Sequence, residues 1–413
     1  MPLLGPDVVV LAMANPAASS NAVLAVELEA AIDPARVAAA LARLLIVCPW
    51  IGGRLVRPRP WGKLAWRVPH ACPTPPPLAT EPITAAGIES LVDRELAAPI
   101  DPYRHPPLRL TIADRALVLT WAHALMDPRG AEYLVRLLAD LDDGKSPGDP
   151  LIVAPPETRP WRARATLAAR GAASLRELAP RPPVSLAAAA ARSGGASDCR
   201  HRRLRFRETA TADRTRRGLP WRLAVVARAL TPLWVRRGLP TDVPFLVPVS
   251  VDRRPRGEPG PVLGNHLAFH FARCPLPLDG DVAALARALR TDLVAAVRRD
   301  DLEAGWAGMS FARYRPLRSM FRELPWTRDG DLCSFHFADT GDLLPDRPQI
   351  FGARLVGGYH VAAVPARPGL GVFFGRRDGV ESLTLSWTDG VLDDADVAEV
   401  AGVVARELEW APA

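Results

Sequence analysis

The sequence is short of lysine, of aromatic residues and of paired cysteines, and each shortage excludes something. Its five cysteines, Cys48, Cys72, Cys199, Cys274 and Cys333, are odd in number and far apart, and none forms a C-x-x-C pair. That argues against a disulfide framework and against a cysteine-based zinc site; small buried thiols in a reducing compartment fit better. Aromatic residues make up 6% of the chain and no nucleic-acid motif accompanies them, so the positive charge implies no nucleic-acid partner. No segment reaches the ~18 uninterrupted apolar residues of a transmembrane helix. The run Val8-Val-Val-Leu-Ala-Met13 has no Lys or Arg before it and is shorter than a signal core of roughly 7–15 residues. It reads as the first strand. No stable membrane insertion and a cytoplasmic location are expected. A G-x-S-x-G elbow, a G-x-x-x-x-G-K-[ST] loop, a G-x-G-x-x-G after a strand and H-E-x-x-H are all missing. His266 and His270 are spaced i, i+4, but on a strand-like segment, so no metal is expected.

What is present is a long, apolar, arginine-rich chain. With 413 residues, 48% of them apolar, it exceeds one compact core and points to two lobes. The net charge is +7, and only Lys63 and Lys145 are lysines. The charge is uneven: between residues 161 and 240, 18 arginines face four acids, Glu177, Asp198, Glu208 and Asp213. The sequence therefore predicts a basic band on a mildly acidic body.

Local patterns predict a mixture of strands and helices. Residues 22–28, 107–112, 116–122, 203–207, 244–251, 267–271, 332–338, 353–364, 370–376 and 381–387 read as strands. Asp33-Pro34 opens a helix with Val37, Leu41, Leu44 and Leu45 on one face, because Asp caps and Pro suits the first turn. Asp127-Pro128 opens another, with Tyr133, Leu134, Leu137, Leu138 and Leu141 aligned. Further helices are predicted over 86–97, 220–235, 281–298 and 394–409. Prolines, an alanine run and Gly194-Gly195 between 151 and 200 mark the lobe boundary. The expected organisation is an N-terminal lobe at 1–165, a crossover linker at 166–195 and a C-terminal lobe at 196–413, in an α/β fold.

Three segments carry chemistry. In Trp121-Ala-His-Ala-Leu-Met-Asp127, a strand ends at Ala122 and presents His123 from a loop. An imidazole with an ordinary pKa near ~6.5 suits proton abstraction at neutral pH. Asp127 can orient the ring or its loop, or simply cap the helix that Pro128 begins. In Val249-Ser-Val-Asp-Arg-Arg-Pro-Arg-Gly257, followed by Leu263-Gly-Asn-His266, arginines after a strand can fork onto a carboxylate or form an exposed basic loop. In Cys333-Ser-Phe-His-Phe-Ala-Asp-Thr-Gly341, His336 and Ser334 share one face of a predicted strand, in a structural or a substrate-binding role.

Taken in order, these segments resemble the chloramphenicol-acetyltransferase-like superfamily of CoA-dependent acyltransferases. Condensation domains, wax ester/diacylglycerol acyltransferases and plant BAHD enzymes are relatives in that group. The resemblance runs from Leu4-Gly-Pro-Asp-Val-Val-Val10, through Ile32-Asp-Pro-Ala35, Cys48-Pro-Trp-Ile-Gly-Gly-Arg-Leu55, Pro106-Pro-Leu-Arg-Leu110 and His123-Ala-Leu-Met-Asp127, to Val251-Asp-Arg-Arg-Pro-Arg256 with Gly264-Asn265. It implies two chloramphenicol-acetyltransferase-like lobes, each a mixed sheet with helices, and a tunnel between them. It further implies that His123 is the general base and that Asp127 turns away to pair with Arg254. Asn265, Ser334 and His336 become candidates for substrate binding. This sequence has Ala122 where many relatives carry a second histidine, and Pro128 where many carry glycine, with Gly130 displaced. A D-F-G-W-G segment is not found.

The expected function is transfer of an acyl group from acyl-CoA to a hydroxyl or amine of a small-molecule acceptor, of secondary-metabolite or lipid type. One alternative is a stand-alone condensation-type enzyme that takes a phosphopantetheinyl thioester from an acyl carrier protein docked on the basic band. Another is a catalytically inactive carrier-docking relative. The thioester is a co-substrate and no cofactor is permanently bound; a monomer is expected.

Overall fold

The computed structural model describes residues 1–13, 19–58, 62–69, 73–82, 87–145, 152–155, 157–178, 180–190, 199–209, 218–255, 260–276, 280–317 and 331–413. Cys72, Gly194-Gly195 and Arg256 lie outside them. The helices are α1 (Gly5–Met13), α2 (Pro34–Val47), α3 (Gly87–Ala97), α4 (Pro128–Asp142), α5 (Trp161–Arg176), α6 (Leu219–Arg236), α7 (Val282–Arg298), α8 (Asp301–Ala312) and α9 (Asp394–Glu407). The strands are β1 (Asn21–Leu28), β2 (Arg54–Val56), β3 (Ala65–Arg67), β4 (Leu78–Glu81), β5 (Leu108–Ala113), β6 (Ala116–Ala122), β7 (Cys199–Glu208), β8 (Phe245–Asp252), β9 (Leu267–Cys274), β10 (His336–Asp342), β11 (Gln349–Ile350), β12 (Ala353–Ala362), β13 (Leu370–Arg377), β14 (Val380–Thr388) and β15 (Trp410–Pro412).

Two sheets organise them. The first runs β11-β12-β1-β6-β5-β4 and the second β15-β7-β14-β13-β10-β8-β9; β2 and β3 form a small hairpin. Every residue of β6 is buried because both faces of its sheet are covered. Leu117, Leu119 and Trp121 join the core under α2 and α4, while Val118 joins Leu91, Val92 and Tyr359 on the α3 side. The second core sets Leu230 and Trp234 of α6 and Val400 of α9 against Val247, Val372, Phe374 and Leu385 of the sheet. Asp33 and Asp127 both cap as the sequence predicts, accepting from Ala35 N and Gly130 N. No helix among the described residues is long and apolar enough to cross a membrane.

The structure corrects several expectations. Residues 8–13 belong to a helix, α1, not to a strand. Valines favour strands locally, but α1 lies directly on α8, and a Cβ at Gly5 would sit 2.5 Å from the Met309 carbonyl carbon. Tertiary packing overrides propensity here. Residues 161–176 form α5, a helix that runs well into the stretch 166–195 expected as a crossover linker; its packing against α8, not an amphipathic pattern, holds it. β10 begins at His336, later than expected. Sheet membership also departs from chain order: β11 and β12, within the segment assigned to the second lobe, complete the first sheet, with β12 antiparallel to β1.

The predicted basic band is spread through the interior and across several faces. Arg203 pairs with Glu27, Arg222 with Asp339 and Glu381, Arg236 and Arg237 with Asp396, and Arg200 with Asp389. Their partners lie far away in sequence, which is why a count along the chain overstates the surface charge.

The α5–α8 contact offers a direct test. A Cβ at Gly171 would stand 2.4 Å from the Ala304 carbonyl oxygen. Gly171→Val is expected to lower unfolding free energy by about 1–3 kcal/mol through overpacking; urea titration reading a midpoint equal to wild type would remove the contact from the stabilising set.

Candidate active site

β6 delivers its last residue, Ala122, to a tight loop. Leu125 N donates to the Ala122 carbonyl, and the indole Nε1 of buried Trp121 donates to the Met126 carbonyl at 2.8 Å. His123 N donates to the Ser20 carbonyl at the foot of β1. The loop is pinned on the other side by residues 263–266: Gly264 N donates to the Leu125 carbonyl at 2.7 Å, and Asn265 Nδ2 donates to the His123 carbonyl at 2.9 Å. Gly264 has φ +97°, a left-handed value that favours glycine, and a Cβ there would meet Leu4.

Asp127 is fully buried, and both of its oxygens are taken by partners other than the histidine. Its Oδ1 accepts from Gly130 N at 2.8 Å; its Oδ2 accepts from Arg254 Nη1 at 2.9 Å and His266 N at 2.7 Å. Arg254 completes its fork on the Pro261 carbonyl and on Asp252. Burial pushes the Asp127 carboxyl up, but the Arg254 charge and these hydrogen bonds outweigh it and hold the group below the usual carboxylate range. The geometry also accounts for Pro128 and Gly130. Pro128 occupies the first position of α4, where no N–H is needed. Gly130 leaves room for the Val262 carbonyl, which a Cβ would approach to 2.3 Å.

A second buried carboxylate supports the same loop. Asp7 Oδ1 accepts from Asn265 N at 2.6 Å and Nδ2 at 2.8 Å, and Oδ2 accepts from Leu4 N. Burial raises the Asp7 carboxyl to about 7 despite those bonds. The sequence reading missed Asp7; it was visible only as an acid abutting an apolar run.

His123, Asp127, Asn265 and His336 all line one cavity of about 1080 Å³, together with His360. Burial lowers the His123 pKa, with its own carbonyl and Asp127 opposing; burial and then the charge of His123 lower His336 to about 4. Both imidazoles are thus neutral at pH 7. His123 Nδ1, His336 Nε2, His360 Nδ1 and Asn265 Oδ1 are buried without a hydrogen-bond partner. The other ring nitrogen of His360 meets Glu132 at 3.0 Å. Ser334 does not join the site: its hydroxyl accepts from Leu246 N and its own N–H donates to the Leu246 carbonyl, so it secures the entry to β10. His266 bonds the Leu263 carbonyl and His270 bonds Asp292, and no group of His, Cys, Asp or Glu among the described residues is arranged to hold a metal.

No known family and no curated protein matches the sequence. Solved structures do match the fold. The first condensation domain of the calcium-dependent antibiotic synthetase, in complex with a substrate analogue, aligns with TM-score 0.69 and 16% identity over 99% of this chain and 95% of that one. The X-domain from teicoplanin biosynthesis aligns with TM-score 0.66 and 16% identity, over 99% and 94%. A mutant of the starter condensation domain of rhizomide synthetase, in complex with C8-CoA and Leu-SNAC, aligns with TM-score 0.66 and 14% identity, over 98% and 93%. The chain therefore has the two-lobed, chloramphenicol-acetyltransferase-like architecture of condensation domains, with a cleft between the lobes.

Two measurements test the electrostatics. Asp127→Asn leaves buried Arg254 with only the partly exposed Asp252 as charge partner and is expected to cost about 3 kcal/mol in urea unfolding. Because the folded pKa of Asp127 is depressed, its contribution is complete above the unfolded value of about 3.9 and is lost as pH falls through the folded value; the variant should lose that acid limb. Asp7 has the opposite sign. Folded Asp7 keeps its proton up to about 7, so its contribution is fullest below about 3.9 and disappears as pH rises through 7. The difference in Tm between wild type and Asp7→Asn should shift against wild type across that interval; a pH-independent difference would refute the raised pKa.

Proposed function

We propose that the protein is an acyltransferase that moves an acyl group from a phosphopantetheinyl thioester to an amine or hydroxyl, with His123 as general base. The observation that carries this is the division of labour in the loop. Asp127 is committed to Arg254 and to the helix start, while a neutral His123 opens onto a largely apolar cavity. In the reaction, the acceptor N–H or O–H attacks the thioester carbonyl as a His123 ring nitrogen takes its proton. The new C–N or C–O bond forms, the C–S bond breaks, and the proton passes to the leaving thiolate. His336 contributes a neutral ring that hydrogen-bonds the substrate, and Asn265 holds the His123 carbonyl. Arg254 acts only through Asp127.

The fold shared with condensation domains favours a carrier-borne thioester, which was the alternative at the level of sequence. Carrier docking rests on the arginines left exposed on and just after α5, Arg162, Arg176 and Arg181 among them. A second reading, direct use of acyl-CoA, is favoured by the solved relative of this fold that holds C8-CoA.

Thiol release from acyl-CoA and from acyl-loaded carrier protein, each with amine and alcohol acceptors, separates the two readings. His123→Ala is expected to reduce transfer by about 10²–10⁴-fold with an unchanged circular dichroism spectrum. Full turnover in that variant would remove His123 from the chemistry.

A further inference from the structure

Asp7 is poorly suited to do no more than hold a helix in place. It lies in the first turn of α1, 2% exposed, and its partners are neutral N–H groups: Leu4 N on Oδ2, and Asn265 N and Nδ2 on Oδ1. No lysine or arginine pairs with it among the described residues. A buried carboxyl group without a cation stabilises a fold poorly, because desolvation works against it. The helix also has other anchors. Leu3 N donates to the Leu64 carbonyl at 3.0 Å, and Gly5 lies directly on the Met309 and Ser310 backbone of α8.

What Asp7 does define is the Asn265 amide. Both hydrogens of Nδ2 are committed, one to Asp7 Oδ1 at 2.8 Å and one to the His123 carbonyl at 2.9 Å. Rotated by half a turn, the amide would set its oxygen against both acceptors, so the two acceptors fix its orientation. Asn265 N, donating to the same Oδ1 at 2.6 Å, ties down the backbone from which the amide projects. Burial lowers the proton affinity of the His123 ring, and the ring's own carbonyl and Asn265 are among the groups that oppose it. The side chain that Asp7 holds therefore acts on the imidazole as well as on its loop.

We propose that Asp7 is a positioning residue for acyl transfer: through the Asn265 amide it fixes the backbone carbonyl of His123, and with it the placement of the imidazole. The proposal rests on the acyl-transfer reading for the reaction that the imidazole serves. Without Asp7 the amide is free to rotate and the histidine loop loses one of its ties. Misplacing a reacting group by about 1 Å can cost about 10²-fold in rate, so the loss falls on kcat and not on substrate binding.

The test compares wild type with Asp7→Ala, Asn265→Ala, the double variant and Asp7→Asn. Val400→Ala, in the core of the second sheet, is the stability control; it should lower Tm and leave kcat unchanged. Thiol release is followed from octanoyl-CoA and octanoyl-pantetheine with benzylamine as acceptor. The Cε1–H NMR signal of His123, assigned with His123→Ala, is recorded separately without substrate. Asp7→Ala is expected to lower kcat by about 10–100-fold with KM within about twofold. The double variant should lose no more than about threefold beyond Asn265→Ala, because both residues act along one path; losses that multiply overturn the proposal. The His123 signal should move or broaden in Asp7→Ala and Asn265→Ala and stay in place in Val400→Ala. Should Asp7→Ala fail to fold, Asp7→Asn, which keeps one acceptor for the amide, should still shift that signal and lower kcat by about threefold or more. An undisturbed His123 signal in the folded Asp7 variants overturns the proposal, as does an equal loss of kcat in Val400→Ala. A shifted signal without thiol release by wild type leaves the positioning of His123 standing and removes the transferase reading. Thiol release that neither Asp7 substitution changes does the reverse.

Discussion

One buried carboxylate holds the two halves of this molecule in working order. Asp127 caps the helix that follows the histidine loop and, with its other oxygen, grips Arg254 and His266 N from the far half of the chain. Neither charge of the Asp127–Arg254 pair has access to water; removing Arg254 strands the Asp127 carboxylate, and removing Asp127 leaves Arg254 with the partly exposed Asp252 alone. The position of His123 follows from this. It lies four residues earlier on a loop that has no freedom left, because Trp121, Gly264 and Asn265 hold the remaining backbone groups.

Much of this was legible from local pattern. The caps at Asp33 and Asp127 followed from side-chain chemistry that acts within a single turn, and β5 and β6 from apolar runs bounded by turn residues. The features that escaped depend on distant partners. Val8, Val9 and Val10 look like strand residues until α8 is placed against them. α5 has a sequence rich in Ala and Arg without a strong apolar face, and its existence depends on the same helix. Ser334 shares a pattern with His336, yet β10 begins four residues later than expected, at His336, and Ser334 lies before it, bonded to Leu246. Asp7 could not be linked to Asn265 across 258 positions by any short-range rule.

The site is a largely apolar cavity with a few polar groups, and burial sets the protonation of its histidines. His123 and His336 are kept neutral by desolvation, while Asp127 stays ionised because a guanidinium is buried with it. Three ionisable groups close together thus hold different charge states for reasons of environment alone. The arginines follow the same logic on a larger scale: many are consumed inside the fold, so the net charge of the chain is a poor guide to its surface.

The placement of β12 has a consequence for how the chain is made. β1 has β6 on one side and, on the other, a strand that begins only at residue 353. During synthesis the N-terminal sheet therefore waits with an open edge at β1 until most of the chain has left the ribosome. An apolar strand edge exposed for that long is a template for wrong pairing. The two lobes are consequently a single folding unit, and a cut between them yields one fragment with an unpaired edge and another with a surplus strand.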